Sequence, residues 1–307
     1  MKARRCRRWR RSRRARRAEA FLKISGDIVG TEAGPLESEI DARWLMAYSA
    51  ALGETDARYF DTGAEGGVLA HPLFAVCYEW PVSQPIRRIP ALRECFARLV
   101  HAEHDLTLHR PVRQGDRLKT RARIVSAEER KPGAFVVFRF ETEDAAGAAV
   151  STTDCGLLYR GVALERPGRT PDASLPSASP PLMPSGDEDL QRLGKIEIAA
   201  SAAHVYAECA RIWNPIHTDI AHARAAGLPG IILHGTATLA LSVSRMLAAC
   251  RADPTRVRRM QCRFTGMVLM PSTLEVRGAV DGKSLAFETR GAQAQAVISR
   301  GRIELRG

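Results

Sequence analysis

The chain has 307 residues, 45% of them hydrophobic and 26% charged, with a formal net charge of +12. That apolar share excludes global disorder, and no stretch approaches the ~18 uninterrupted apolar residues of a membrane-spanning helix. The charge is not the signature of a nucleic-acid-binding fold: residues 1–17 hold one Lys and ten Arg, leaving 35 of the 46 basic residues against 34 acidic ones. Nucleic-acid-binding domains carry a basic face on the folded body, and here that body is neutral.

Residues 1–23 read as a disordered Arg-rich tail, or as sequence upstream of the genuine start codon; such a tail binds polyanions weakly at most. An export signal needs an apolar run of about 7–15 residues, and only Ala20-Phe21-Leu22 follows. A first unit is expected over 24–163. Its opening helix is Asp41 to Leu52, with Trp44, Leu45, Tyr48 and Leu52 on one face. A loop with Gly63, Gly66 and Gly67 leads to an apolar segment, His71 to Trp80. Strands follow at about 101–109, 117–127, 134–142 and 149–160, joined by turns such as Gln114-Gly115-Asp116.

From Glu165 to Gly186 lie six of the seventeen prolines, which marks a linker over 164–189. The second unit, 190–307, repeats the order of elements. A short helix runs from its cap Ser201 through Arg211, and a loop holds Gly227, Pro229 and Gly230. A long helix covers Gly235 to Ala249, and strands fill about 257–265, 273–281, 284–290 and 294–305. That long helix is apolar on nearly every face, so it must be wrapped, and a curved antiparallel sheet can do so. The fold class is α+β, with one sheet-wrapped helix repeated twice.

Seven scattered Cys without a CxxC imply neither a disulfide framework nor a zinc site, which suits a reducing cytoplasm. His101, His104 and His109 offer no metal site, because strand periodicity puts His101 and His109 on one face and His104 on the other. The glycines at 63, 66 and 67 have no Walker-type Lys-Ser/Thr after them, and a GxSxG elbow is absent.

The informative segment is Tyr206 to Thr238. Asn214-Pro215-Ile216-His217 closes a helix with a sharp turn and leaves two polar side chains three residues apart. His234-Gly235 opens the apolar helix, where free N–H groups and the helix dipole favour a developing negative charge. An imidazole brought near such an N–H combines a proton-transfer group with an oxyanion site, as chemistry beside a thioester carbonyl requires.

The block Asn214-Pro215-Ile216-His217 with Leu233-His234-Gly235 resembles the MaoC-like (R)-specific enoyl-CoA hydratase family, whose fold is the hot-dog, a sheet around a central helix. The first half resembles the N-terminal dehydratase domain of double hot-dog members, through the helix Asp41–Leu52 with Gly53-Glu54-Thr55-Asp56, then Ala70-His71-Pro72, His109-Arg110-Pro111 and Gly115-Asp116. The resemblance covers about 30–163 and 195–305 and implies a tandem, or double, hot-dog. It implies a lyase of fatty-acid metabolism that hydrates an enoyl-CoA or dehydrates a 3-hydroxyacyl-CoA, with no metal or redox cofactor. His217 is then the acid/base, Asn214 the orienting amide and Gly235 the oxyanion donor, while Trp213, His234 and Thr236 line the substrate.

The family signature is Ser-Gly-Asp-x-Asn-Pro-x-His, and this chain departs from it: Ala210-Arg211-Ile212 stand at the first three positions, so Ile212 replaces the catalytic carboxylate. Glu208, four residues earlier on the same helix, is the first candidate to replace it, and Asp219 the second. The alternative is a degenerate acyl-CoA-binding protein or partner subunit. In the first half Asp56, Ala57, Arg58 and Tyr59 occupy the Asn-Pro-x-His positions, so that half is expected to supply shape, interface and acyl pocket. Two fused hot-dogs form either a monomer equivalent to the usual dimer or a homodimer of such chains.

Overall fold

The computed structural model describes residues 22–170 and 190–307. The expected tail, but for its last two residues, and most of the expected linker lie outside them. In the first half come β1 (Lys23–Ile24), β2 (Glu32–Glu39), α1 (Ala42–Ala51), α2 (Ala75–Arg87), α3 (Pro90–Arg93), β3 (Leu99–Leu108), β4 (Arg117–Arg130), β5 (Gly133–Asp144), β6 (Ala149–Arg160), β7 (Ala163–Leu164) and β8 (Gly168–Arg169). In the second come β9 (Gln191–Ile198), α4 (Ala202–Ala210), α5 (Ile220–Ala225), α6 (Gly235–Cys250), β10 (Val257–Phe264), β11 (Ser272–Asp281), β12 (Ser284–Arg290) and β13 (Ala296–Leu305). The beginning of the expected linker is structured, since Gly168 and Arg169 pair with Ala127 and Ser126.

Among the described residues one continuous sheet runs β2-β4-β5-β6-β3-β10-β13-β12-β11-β9. Read from either edge towards the centre, the strand order is the same, so β2 answers to β9, β4 to β11 and β3 to β10. The internal repeat is therefore real, and its two copies join through the antiparallel pair β3–β10, where Gln261 faces Asp105. On the outer face of that seam Asp105 takes a bidentate bond from Arg259 (2.8 and 2.6 Å) and a third from Gln261 (2.8 Å). Helix α6 packs under β9, β11, β12 and β13, with Leu239, Ala240, Val243 and Met246 wholly buried, and α2 packs under β2 and β4. This is the expected α+β double hot-dog.

The second helix runs past Trp80, where Pro81 ends the expected segment, to Arg87. Pro81 and Pro85 stand four apart on its exposed side while Val82 and Ile86 are buried on the other. Burial of that inner face outweighs the backbone bonds that two prolines delete.

Helix α1 starts at its sequence cap: the Asp41 side chain accepts from the Trp44 N–H at 2.8 Å. Asp41→Ala leaves that donor unpaired and is expected to cost about 1 kcal/mol in urea unfolding.

Candidate active site

Helix α4 ends at Ala210 because Arg211 turns left-handed (φ 57°), and the chain then forms a 3-10 turn over Pro215–His217. Asn214 caps this turn, its side-chain oxygen accepting from the Ile216 N–H at 3.4 Å. The two motif pieces meet. The rings of His217 and His234 stack with centroids 3.7 Å apart and planes 24° apart. Leu233 N–H donates to the Val268 carbonyl (2.8 Å), which holds the strand before α6 against the loop after β10.

The partners fix both tautomers, because a carbonyl can only accept. His217 Nδ1–H donates to the Ile232 carbonyl at 2.8 Å, so its Nε2 keeps a free lone pair. His234 Nε2–H donates to the Ile212 carbonyl at 3.3 Å, and its buried Nδ1 has no partner among the described residues. Burial pushes the His217 pKa down to about 4 and that of His234 well below the ordinary imidazole range. Both rings are thus neutral at physiological pH, and His217 Nε2 can accept a proton.

Gly235 is the first residue of α6, and no side chain caps that helix end. A Cβ here would lie 3.3 Å from the Phe264 ring, a tight contact that the ring would have to yield by a few tenths of an ångström to admit. Thr236 follows and accepts a bond from the Tyr206 hydroxyl at 3.1 Å. Trp213 is 61% exposed beside the turn.

Four sequence expectations need correction or qualification. Glu208 does not share a face with Ile212: the left-handed turn at Arg211 takes Ile212 off the helix, leaving Glu208 exposed while Ile212 is buried. Asp219 caps α5, accepting from the Ala221 N–H at 2.7 Å, and pairs with His222 rather than with His217. Asn214 spends its oxygen on the local cap, and the His217 ring bonds Ile232 instead. Finally, a bulge between His101 and Glu103 resets strand parity, so the His101 and His104 rings lie edge to face at 5.4 Å rather than on opposite faces. Among the described residues no three metal-ligating side chains converge.

One constellation escaped the sequence reading. Glu54 stands two residues before Asp56, as Ile212 stands before Asn214, so the first half keeps a carboxylate at the matching place. There Leu73 N–H donates to His71 Nδ1 (3.1 Å), His71 Nε2–H donates to Ser244 Oγ (3.1 Å), and Ser244 donates to Glu54. Burial holds the His71 pKa down to about 3. The polarity is opposite to that of a nucleophilic serine, because His71 has no lone pair left to take the Ser244 proton. Pro72, moreover, replaces the glycine and has no N–H. Each half therefore lacks what the other keeps: a carboxylate in the second, an amide donor in the first.

Two family models match the chain, a MaoC like domain over residues 186–300 and a FAS1-like dehydratase domain region over 27–153. The peroxisomal enoyl-CoA hydratase 2 of Arabidopsis thaliana is 30% identical over 96 residues, 31% of either chain. A UPF0336 protein of Saccharopolyspora erythraea is 32% identical over 153 residues, 48% of this chain and 98% of that protein. A MaoC-like dehydratase from Phytophthora capsici superposes with a TM-score of 0.75 at 19% identity, covering 92% of this chain and 98% of its own, and shares the fold. The alignment thus spans less than a third of the plant hydratase.

Proposed function

The chain belongs to the MaoC-like dehydratase family, and from that footing we propose that it hydrates an enoyl-CoA thioester, or runs the reverse dehydration, at the site built on His217 and Gly235. The free Nε2 of His217 takes a proton from water as oxygen adds to the β-carbon and the double-bond electrons pass to the thioester oxygen. The imidazole then returns that proton to the α-carbon as the enolate collapses. The Gly235 N–H, at a helix end left uncapped, binds the negative charge that grows on the thioester oxygen. The observation that carries this reading is the stacked imidazole pair, which holds His217 against His234, the residue that precedes Gly235.

One observation favours a second reading. No carboxylate bonds the His217 ring among the described residues, and an imidazole held to about 4 is a weak base. On that reading the site binds an acyl-CoA without turning it over.

Crotonyl-CoA hydration separates the two. His217→Ala is expected to lower kcat about 10²-fold, the low end for a general base. The base must be neutral to work, so the wild-type kcat/KM should fall as pH drops through about 4 and stay flat across neutrality. Turnover that does not respond to His217→Ala eliminates His217 as the base.

A further inference from the structure

Resting on the hydratase reading, we propose that the Thr236 hydroxyl is a second donor to the thioester oxygen, set in place by a chain of hydroxyls that begins on Tyr48 in the first half. Thr236 Oγ1 accepts the Tyr206 proton at 3.1 Å, and its own proton meets no acceptor among the described residues. A helical threonine ordinarily donates back to the carbonyl four residues earlier, as Thr238 does to His234 at 3.1 Å. For Thr236 that carbonyl is Ile232, which already receives the His217 Nδ1–H at 2.8 Å. That carbonyl lies before the helix begins at Gly235, so the helical back-bond open to Thr238 is not open to Thr236. Thr236 adjoins Gly235 on the first turn of α6 and is half-buried, so a backbone N–H and a side-chain O–H sit at one helix end.

Behind Thr236 the chain is dry and ordered. Tyr48 and Tyr206 are 0% and 1% exposed, and their hydroxyl oxygens lie 3.3 Å apart across the junction of the two halves. Since Tyr206 donates to Thr236, the single Tyr48 proton is shared between the Tyr206 oxygen and the Leu73 carbonyl at 3.4 Å. Burial raises both phenols, so both keep their protons. Consecutive donors polarise one another, and each makes the next hydroxyl a stronger donor. The first half, with Tyr59 where the second has His217, thereby still acts on the reacting carbonyl.

The test combines crotonyl-CoA kinetics with cinnamoyl-CoA, whose absorption moves to the red when its carbonyl is polarised. Thr236→Val should lower kcat about 10²-fold with KM within about threefold, as for loss of one oxyanion donor. It should also shrink the red shift of bound cinnamoyl-CoA, while Thr236→Ser keeps both signals. Tyr206→Phe should fall between, near tenfold, because the threonine hydroxyl survives without its donor. Full kcat and full red shift in Thr236→Val overturn the proposal alone, provided His217→Ala is impaired. A wild-type protein that neither hydrates crotonyl-CoA nor shifts cinnamoyl-CoA overturns the hydratase reading and the proposal together.

Discussion

Ile212→Asp is expected to raise crotonyl-CoA turnover by about 10³-fold, because it returns the missing carboxylate beside the stacked His217 and His234 rings. Where acid/base residues act as a unit, loss of a carboxylate costs about 10⁴-fold, and restoring it in a foreign setting should recover most of that. Ile212 is five residues before His217, and its own carbonyl already holds His234 at 3.3 Å, so the backbone here is tied to the imidazole pair. The first half shows that this register accommodates an acid: Glu54, at the matching position, lies 3.8 Å from the Nε2 of His71, the counterpart of His234. The change has a stability cost of about 2–4 kcal/mol, since Ile212 is only 5% exposed and a carboxylate there loses water. A second readout follows from the sign of the charge. An anion beside His217 favours its protonated form, so the acid limb of kcat/KM should move up from about 4 towards neutrality. A folded Ile212→Asp protein with unchanged turnover and an unmoved limb would show that this side chain faces away from the reacting water.

What the sequence reveals and what it hides divide along local and long-range interactions. The strand at 284–290 and the first half of 117–130 alternate cleanly because one face is buried, and the apolar run of α6 demands a wrapping sheet. The edge strand Glu32–Glu39 is mostly exposed and carries Gly34 and Pro35, so it has no such alternation to read. The meeting of His217 with His234 was legible because both belong to one short block, each beside a recognisable turn. The fate of Glu208 was not: a left-handed arginine at 211 leaves no mark in composition, and it alone decides that Ile212 leaves the helix. The Glu54–Ser244–His71 set spans 190 residues and exists only once the two halves are joined. The exit of α2 past two prolines is likewise a tertiary outcome that overrides local propensity.

Glu79→Gln is expected to stabilise the protein by roughly 3 kcal/mol at pH 7 and to leave it nearly unchanged at pH 4.5. Glu79 sits on α2 beneath β6, 4% exposed, where its carboxyl accepts from Thr153 Oγ1 at 2.5 Å. Burial pushes its pKa up to about 8, against a bond from Thr153 that pulls the other way. Below about 4.5 the acid is protonated in both the folded and the unfolded chain and contributes no pH dependence. Between 4.5 and 8 the unfolded chain releases the proton and the folded one retains it, so stability falls as pH rises; above about 8 both are ionised and the loss levels off. At pH 7 the gap between the two titrations amounts to roughly 3 kcal/mol. Glutamine keeps an oxygen for Thr153 and does not titrate, so the slope should vanish. The second half has neutral groups here: Ser242, the counterpart of Glu79 on the central helix, shares a bond at 2.7 Å with Thr289 on β12. Urea unfolding at pH 4.5, 6, 7 and 8 reads the difference between the two proteins. Curves that stay parallel across that range would mean that Glu79 is ionised in the folded chain, and that the core under β6 tolerates a buried charge.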